Sequence, residues 1–202
     1  MSDAIILLAA GSSTRLGQPK QLLPYQGRTL LRRAAETAAA AASGGAVVVV
    51  TGALHTELLP ELAGLPVQAV HNPNWTAGMG ASIQTGLNFL ETRPQPPTAV
   101  TILLCDQPFV TSGLLAELRA THHRTGQPIV ASAYANTQGV PVYFAAGALP
   151  LLQALPAEAG AGQLLRRHAA LVASVPFPLG AVDVDTPEQY AALLATSQAA
   201  TH

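Results

Sequence analysis

The sequence predicts an α/β fold: a single Rossmann-like domain of three layers with a mainly parallel sheet. Apolar, strand-like runs alternate with helix-like stretches along almost the whole chain of 202 residues. Several of these runs are apolar throughout, which is typical of strands that helices cover on both faces. We find no internal repeat and no interdomain linker. One domain is therefore predicted over residues 1–202, with a tail that frays after about residue 196.

The elements are predicted in order along the chain. Strands are expected at residues 4–10, 46–51, 67–71, 99–105, 128–134, 140–144 and 171–175. Helices are expected at residues 29–43, 55–63, 80–92, 112–125, 147–155, 160–168 and 187–196. The last helix has Thr186 as its predicted N-cap and Pro187 as its first residue. Two strand-like runs flank residues 136–139, which predicts a hairpin or a lid there.

Composition excludes several classes of partner. Charged residues make up 10% of the chain and the formal net charge is -1, so no bulk attraction to nucleic acid or to an acidic membrane is expected. No apolar stretch approaches the roughly 18 residues of a membrane span, and the first residues lack the basic start of a signal peptide. We expect a cytoplasmic protein. Its single cysteine, Cys105, excludes an internal disulfide and is expected to be a buried, inert thiol.

The only lysine of the chain, Lys20, ends a loop of small residues that follows the first apolar strand. Residues 8–20 read Leu-Ala-Ala-Gly-Ser-Ser-Thr-Arg-Leu-Gly-Gln-Pro-Lys. Glycine lets backbone N–H groups approach an anion closely, and an ammonium group is a compact charge for phosphate oxygens. The spacing matches neither G-x-G-x-x-G nor the P-loop. We favour a phosphate-binding loop over an ordinary surface turn.

Aspartates at two further places indicate a metal site. Asp106 ends an apolar strand, and ligands of open α/β sheets lie beyond the carboxyl ends of the strands. Because Mg²⁺ takes one or two carboxylates plus phosphate oxygens, Asp106 is a candidate ligand; the alternative is a helix N-cap or an Asx-turn. Asp185 is the first choice for a second carboxylate and Asp183 the second choice. The alternative for both is an ordinary helix start before Pro187.

Residues 72–82 form another candidate ligand-binding segment. They contain the only tryptophan, Trp75, and lead into a helix start rich in glycine and serine. A helix N-terminus with free N–H groups suits a phosphate or the polar edge of a base, so we expect ligand contact near Gly78 and Ser82. Trp75 itself is expected to pack on the core. The six histidines form no recognisable set of metal ligands.

These motifs together resemble the MobA-like nucleotidyltransferases. Residues 8–20 match the L-A-A-G-x-S-x-R-x-G-x-x-K signature of that family, and the resemblance runs nearly end to end. It continues through residues 74–82, 105–108, 139–141 and 183–187. Within the family, Ala9-Ala10-Gly11 and Asp106-Gln107-Pro108 are most similar to the molybdenum cofactor cytidylyltransferase branch. The resemblance implies a nucleotide-diphospho-sugar transferase-like fold.

The resemblance also implies the residues of a site. Nucleotide contacts are implied for Ala9, Ala10, Gly11, Ser12, Ser13, Arg15, Lys20, Gly78 and Ser82. Catalysis is assigned to Lys20, Arg15 and Asp106, which neutralise the triphosphate and position the metal. The implied cofactor is Mg²⁺, bound by Asp106 and by Asp185 or Asp183.

The implied reaction transfers CMP from CTP to the phosphate of molybdopterin cofactor and releases pyrophosphate. CTP, a phosphorylated acceptor, and a molybdenum enzyme or its chaperone are the implied partners. Two alternatives stay open: a transferase that uses a sugar or alcohol phosphate or GTP, and a chaperone that binds molybdenum cofactor without transfer. A dinucleotide-dependent oxidoreductase is less favoured, because the glycine spacing differs and no acidic residue stands about twenty positions beyond the loop.

The chain departs from the family pattern in two segments. The family often has Gly-Asp-x-Gly-Ala-Arg before the late helix, whereas residues 156–162 read Pro-Ala-Glu-Ala-Gly-Ala-Gly and lack the arginine. Val140 occupies a position between Gly139 and Pro141 that is often polar in the family. Both segments are expected to face the acceptor.

Overall fold

The computed structural model describes residues 3–199, and its elements alternate as the sequence predicts. The nine strands in these residues are β1 (Asp3–Ala9), β2 (Pro24–Tyr25), β3 (Arg28–Thr29), β4 (Val47–Thr51), β5 (Gln68–His71), β6 (Ala99–Leu104), β7 (Ile129–Tyr134), β8 (Thr137–Ala145) and β9 (Val172–Pro176). The seven α-helices of the same range are α1 (Leu30–Ala41), α2 (His55–Leu62), α3 (Met79–Glu91), α4 (Ser112–Thr125), α5 (Leu149–Gln153), α6 (Ala161–Arg167) and α7 (Pro187–Ala199). Helix α7 continues past the predicted end at residue 196, and the last three residues of the predicted frayed tail lie outside the described residues.

Seven of the strands form one sheet in the order β5-β4-β1-β6-β8-β7-β9. Neighbouring strands run parallel except where β8 pairs with β6 and with β7. The prediction of a mainly parallel sheet is therefore confirmed. The carboxyl ends of β1 and β6 lie side by side at one edge of the sheet, because Leu8 of β1 pairs with Leu104 of β6.

Helices cover both faces of this sheet. Side chains that alternate along β1 point to opposite faces, so Ile6 joins the apolar cluster that includes α3 and α6, and Leu7 joins the cluster that includes α1, α2 and α4. Both side chains are fully buried. The predicted three-layer arrangement is thus confirmed. Within residues 3–199, none of the helices combines the length and the apolar character that crossing a membrane requires.

Strands β7 and β8 form the hairpin that the sequence predicted as one of two possibilities. The turn consists of Ala135 and Asn136, which have φ values of 46° and 57°. A two-residue turn with positive φ at both positions matches the twist of the flanking strands, and asparagine tolerates this conformation well. Strand β8 consequently begins at Thr137, three residues before its predicted start, because the polar residues after the turn still pair with β7.

Threonine side chains begin three of the helices. The hydroxyl of Thr29 accepts a hydrogen bond from the Arg32 N–H of α1 at 3.1 Å, and Thr111 does the same for α4. For α7, Thr186 accepts from the Gln189 N–H at 3.3 Å, so the predicted N-cap is confirmed. Such a cap satisfies one of the N–H groups that a helix start leaves without a partner.

The small sheet of β2 and β3 was not predicted, because two-residue strands are too short to show periodicity. This sheet carries Tyr25 into a third apolar cluster, where it packs with Leu16, Leu30 and Val184. Leu16 belongs to the loop that ends at Lys20, and Val184 lies in the segment before α7. The third cluster therefore joins two segments that both carry predicted site residues, although Leu16 and Val184 are 168 positions apart in sequence.

Candidate active site

A cavity of about 350 Å³ opens at the carboxyl ends of β1 and β6. The predicted site residues that line it are Ala9, Ala10, Gly11, Ser12, Lys20, Gly78, Ser82 and Asp106. Four other predicted residues, Ser13, Arg15, Asp183 and Asp185, do not line it. Thr76 and Met79 of the predicted segment 72–82 also contribute to its wall, as does Gln21, which the sequence did not indicate.

Gln21 is a buried brace for the glycine loop. Its side-chain amide donates hydrogen bonds to the carbonyl of Ala9 at 3.1 Å and to that of Gly11 at 2.6 Å. Its carbonyl accepts from the hydroxyl of Ser13, which in turn accepts from the backbone N–H of Lys20. Ser13 therefore holds the loop in shape from within. A glutamine directly after the lysine carries no distinguishing sequence signal, so its role was not predictable.

Four charged side chains from three segments meet beside the cavity. The ammonium nitrogen of Lys20 donates to Oδ2 of Asp106 and, at 2.7 Å, to Oδ1 of Asp185. Arg15 donates to the other oxygen of Asp185 at 2.8 Å. The Lys20 and Asp106 side chains are only 17% and 10% exposed, whereas Arg15 is 74% exposed. Lys20 and Asp106, both implied as catalytic by the resemblance, are thus in direct contact.

Burial and ion pairing act against each other on these groups. Burial alone would lower the pKa of Lys20, but the carboxylates of Asp106 and Asp185 outweigh it and hold this pKa above its usual 10.5. Burial raises the pKa of Asp106 by more than the opposing effect of Lys20, because Asp106 is the more deeply enclosed acid. Burial also acts to raise the pKa of Asp185, but Lys20 and Arg15 outweigh it and leave this pKa below 3.8. Lys20 therefore carries its charge at neutral pH.

The two aspartates before α7 have different partners. Asp185 faces Lys20 and Arg15, whereas Oδ1 of Asp183 accepts a hydrogen bond from the side-chain amide of Gln189 at 2.8 Å. The side-chain oxygen Oε1 of Gln189 accepts from the backbone N–H groups of Asp185 and Thr186. Gln189 thereby holds the segment in a shape that directs Asp185 toward Lys20. This geometry favours Asp185 over Asp183 as the second carboxylate of the site.

The donor set fits a divalent cation. Oδ1 of Asp106 is buried and has no hydrogen-bond partner within residues 3–199, which leaves a strong acceptor unsatisfied. Asp185 lies close by, since both acids contact one lysine nitrogen. Across the same described range, no group of three or more His, Cys, Asp or Glu side chains could enclose a metal. Two carboxylates completed by phosphate oxygens and water suit Mg²⁺ or a similar ion better than a closed protein cage.

The start of α3 forms the opposite wall of the cavity. Ser82 is 3% exposed and accepts a hydrogen bond from the side-chain amide of Asn72 at 3.0 Å. Gly78 has φ of 128°, and a Cβ there would lie 2.6 Å from the carbonyl oxygen of Ala157, so only glycine fits. Trp75 is half-buried, lies outside the three apolar clusters and lines the cavity, so the expectation that it packs on the core is wrong.

The single cysteine matches its predicted character. Cys105 is 4% exposed, although it contributes to the cavity wall next to Asp106. Burial raises the pKa of the Cys105 thiol to about 12, and the neighbouring Asp106 acts in the same direction. The thiol is therefore protonated at neutral pH, and a protonated thiol is a poor nucleophile and metal ligand.

The two segments that were expected to face the acceptor lie in different environments. The side chain of Val140 is 8% exposed and packs in the apolar cluster of α3 and α6, so this expectation is wrong for Val140. A β-branched side chain on a strand that helices cover on both faces is drawn into the core. Residues 156–160 pack against the start of α3, where the carbonyl of Ala157 accepts from the N–H of Ala81.

A second cavity lies between the β7–β8 hairpin and α6, and we call it the hairpin groove. Its lining residues are Ala133, Tyr134, Ala135, Asn136, Thr137, Gln138, Leu165, Arg166, Ser174 and Pro178. The groove has a volume of about 770 Å³, and Arg166 is its only charged lining residue. The ring of Tyr134 lies against Gly180, whose carbonyl accepts a hydrogen bond from Gln107, the residue after Asp106. Tyr134 therefore links the groove to a segment that is bonded next to the charged side chains of the first cavity.

Comparison with known proteins assigns the class of this fold and site. Residues 5–172 match the family described as the MobA-like NTP transferase domain, and the chain belongs to that family. The protein is accordingly a nucleotidyltransferase in class, and the resemblance found in the sequence is confirmed.

Several individual proteins are similar to the chain over nearly their full length. Nicotine blue oxidoreductase of Paenarthrobacter nicotinovorans is 35% identical over 200 residues, which cover 94% of this chain and 95% of that protein. The structure of an Rv0371c homologue from Mycobacterium sp. strain JC1 is 31% identical, covers 96% of both chains and superposes with a TM-score of 0.78. Rv0371c of Mycobacterium tuberculosis H37Rv, solved in complex with manganese, is 25% identical, with coverage of 97% and 100% and a TM-score of 0.75.

Proposed function

We propose that this protein transfers CMP from CTP to the phosphate of molybdopterin cofactor in a Mg²⁺-dependent reaction that releases pyrophosphate. One observation carries the proposal. Lys20, Asp106 and Asp185 meet from three separate segments beside a cavity that the glycine loop and the start of α3 also line. A glycine loop, a helix N-terminus and two converging carboxylates suit a metal-bound triphosphate. With the family, this arrangement supports nucleotidyl transfer over binding alone.

The proposed transfer needs no nucleophile from the protein. An oxygen of the acceptor phosphate attacks the α-phosphorus of CTP in line, and pyrophosphate leaves with the electron pair of the broken P–O bond. The chain contributes alignment and neutralisation of charge, which dominate in phosphoryl-type transfers. Backbone N–H groups near Gly11 and Ser12 hold the phosphates. Lys20 and Arg15 stabilise the negative charge that develops on pyrophosphate.

In this proposal, the carboxylates of Asp106 and Asp185 would bind the metal ion. A divalent cation bound there would act as a Lewis acid and neutralise negative charge on the phosphate oxygens. The manganese complex of Rv0371c supports a divalent ion in a protein that is similar over nearly its whole length. The choice of Mg²⁺ rests on the oxygen ligands of the site, because both Mg²⁺ and Mn²⁺ prefer oxygen ligands.

The proposed preference for CTP rests on the likeness of Ala9-Ala10-Gly11 and Asp106-Gln107-Pro108 to the cytidylyl branch. Ala10 and Gly11 line the cavity, where small residues leave room for the nucleotide. Gln107 is 6% exposed and donates to the carbonyls of Val140 and Gly180, both at 3.1 Å. Its side chain therefore acts as a brace next to Asp106 and does not line the first cavity.

The hairpin groove is the proposed place of the acceptor. Tyr134 lines it and packs against Gly180, whose carbonyl accepts a hydrogen bond from Gln107, the residue that follows Asp106. Arg166 offers the groove an exposed guanidinium, which suits an anionic group of the acceptor. Asn136 and Gln138 add neutral hydrogen-bonding groups along the hairpin. A phosphorylated acceptor in this groove would have its phosphate directed toward the first cavity.

Pyrophosphate release by the purified protein tests the proposal. Each of four nucleoside triphosphates is combined with molybdopterin cofactor, a sugar phosphate or an alcohol phosphate, with and without Mg²⁺. We expect the highest kcat/KM for CTP with molybdopterin cofactor, and no release after chelation of the metal. A higher kcat/KM with GTP or with another acceptor would assign the alternative transferase. Tight cofactor binding without pyrophosphate release from any combination would instead assign a chaperone.

A second candidate function follows from one of the comparisons. The protein that is 35% identical over nearly the whole chain carries the name of an oxidoreductase. Oxidation of NADH or NADPH with nicotine blue as the electron acceptor is therefore the necessary parallel assay. We expect none, because the glycine loop lacks the dinucleotide-binding spacing. Turnover of nicotinamide cofactor without any pyrophosphate release would replace the transferase proposal.

A further inference from the structure

Lys20 is held in a place that a triphosphate-binding lysine would have to leave. Its ammonium group donates to Asp106 and, at 2.7 Å, to Asp185, so both carboxylates of the site already share it. The side chain is only 17% exposed. Under the proposed function, on which this inference rests, the same two carboxylates hold the divalent cation. One position between Asp106 and Asp185 thus has two possible occupants.

We infer that in the nucleotide-free protein Lys20 occupies the cation position between Asp106 and Asp185, and that it leaves this position only when a nucleoside triphosphate offers its ammonium group other oxygens. The free protein therefore binds a divalent cation weakly, and the cation and the nucleotide enter together. Lys20 exchanges two carboxylates for phosphate oxygens in the same step.

The charges of the site explain why Lys20 and a metal ion exclude each other. Asp106 and Asp185 are like charges in a half-enclosed place, so they require a positive charge between them. A metal ion without nucleotide would displace Lys20 and leave a largely enclosed ammonium group next to a dication. An uncompensated charge of this kind is strongly unfavourable. The triphosphate removes the obstacle because it supplies negative charge to both cations.

Asp106 shows that Lys20 fills the position incompletely. Oδ2 of Asp106 accepts from Lys20, but Oδ1 is buried and lacks any hydrogen-bond partner among residues 3–199. An unsatisfied buried carboxylate oxygen is costly, and such groups occur where a ligand is missing. Mg²⁺ or Mn²⁺, which brings its own coordinated water, satisfies more carboxylate oxygens than one ammonium group can.

Arg15 provides a matched control, because it contacts Asp185, one of the two acids, without occupying the position between Asp106 and Asp185. It donates to Oδ2 of Asp185 at 2.8 Å and is 74% exposed. Lys20→Met and Arg15→Met each remove one positive charge from the site. If only the total charge mattered, both variants would strengthen metal binding equally. If Lys20 occupies the cation position, only Lys20→Met vacates it.

Binding of Mn²⁺ to the nucleotide-free protein, followed by electron paramagnetic resonance at pH 8, tests the exchange. We expect Lys20→Met to bind Mn²⁺ at least about tenfold more tightly than the unaltered protein, and Arg15→Met less than about threefold more tightly. Equal affinities of the unaltered protein and Lys20→Met would overturn the inference, and so would equal gains in the two variants. Circular dichroism establishes that both variants are folded.

The same titration with nucleotide separates this inference from the proposed function. CTP should strengthen Mn²⁺ binding to the unaltered protein by at least about tenfold. The gain should be smaller for Lys20→Met, because no ammonium group occupies the cation position between Asp106 and Asp185 in that variant. Tighter Mn²⁺ binding by Lys20→Met without any effect of CTP or another triphosphate would contradict the proposed function and the exchange with phosphate oxygens, and would leave intact only the conclusion that Lys20 occupies the cation position. If CTP strengthens Mn²⁺ binding but Lys20→Met does not bind Mn²⁺ more tightly than the unaltered protein, the inference about Lys20 is contradicted and the proposed function is not.

The single lysine of the chain allows a second test that needs no variant. Protein labelled with ¹⁵N-lysine has one side-chain ammonium signal, that of Lys20. We expect this signal to be unchanged by Mg²⁺ alone and to shift when Mg²⁺ and CTP are added together. A full shift with Mg²⁺ alone would contradict the inference, as would an unchanged signal in the presence of both.

Discussion

The two cavities of this protein differ in how their charged groups are held. In the first, Lys20 and Arg15 are both paired with carboxylates, and the central pair is largely buried. In the hairpin groove, Arg166 is exposed and forms no ion pair within residues 3–199. Loss of one member of a buried pair leaves its partner uncompensated, whereas loss of an exposed charge alters little beyond ligand contacts. Substitutions should therefore act on the chemical step at the first cavity and on acceptor binding at the groove.

The largest effect is expected at the buried pair. Asp106→Asn and Lys20→Met should each reduce kcat/KM for pyrophosphate release by about a thousandfold, because each removes charge that the transition state requires. The asparagine keeps the shape of the carboxylate. Near-normal turnover by either folded variant, as judged by circular dichroism, would refute the assignment of roles.

The two aspartates before α7 should differ although they are only two residues apart. Asp185→Asn should lower kcat/KM by about a hundredfold and raise the Mg²⁺ concentration needed for half-maximal rate, because Asp185 faces Lys20. Asp183→Asn, the matched control, removes one negative charge but keeps an oxygen that can accept from Gln189, and it should change the rate by less than about threefold. Equal losses in both variants, or the opposite order, would show that the second carboxylate is misassigned.

Arg166 should affect binding of the acceptor only. Arg166→Ala should raise the KM for the acceptor by about tenfold and leave the KM for CTP and the Mg²⁺ dependence unchanged. Arg167 is the matched control, because it is exposed on the same helix but does not line the hairpin groove. If Arg167→Ala raises the acceptor KM as much, or if neither variant does, the groove is not the acceptor site.

The smallest effect concerns stability against pH. The pKa of Asp185 is lowered in the folded protein, so its ion pairs stabilise the fold above the unfolded value of about 3.8 and lose this effect as the pH falls through the folded value. At pH 6 the unaltered protein should be more stable to urea than Asp185→Asn, by less than about 1 kcal/mol. The difference should vanish in strong acid. A difference that grows toward low pH would contradict the sign of this shift.

The sequence predicted the first cavity better than the groove, for a physical reason. Parallel strands end at one edge of a sheet, so a glycine loop after β1 and an aspartate after β6 must lie close together once the strands are recognised. The contact of Lys20 with Asp185 follows no such rule. It spans 165 positions and depends on packing of Leu16 against Val184 in a cluster that no local pattern reveals.

The groove was not predicted because its shape depends on details of register and turn geometry. The turn at Ala135 and Asn136 extends β8 toward the amino end by three residues beyond its predicted start. Whether Val140 faces the core or a ligand depends on the register of β8, and a strand slip of one residue reverses every side chain. The loop brace Gln21 was likewise unpredictable, because a buried glutamine has no sequence signature.

A crystal structure with a non-hydrolysable CTP analogue and Mn²⁺ would show whether the charged side chains beside the first cavity bind the nucleotide. We expect an anomalous peak for Mn²⁺ on the carboxylates of Asp106 and Asp185, with the triphosphate along residues 9–12 and the ammonium group of Lys20 on its oxygens. A triphosphate bound away from this cavity would refute the proposed site. So would a bound triphosphate that leaves Lys20 between the two aspartates.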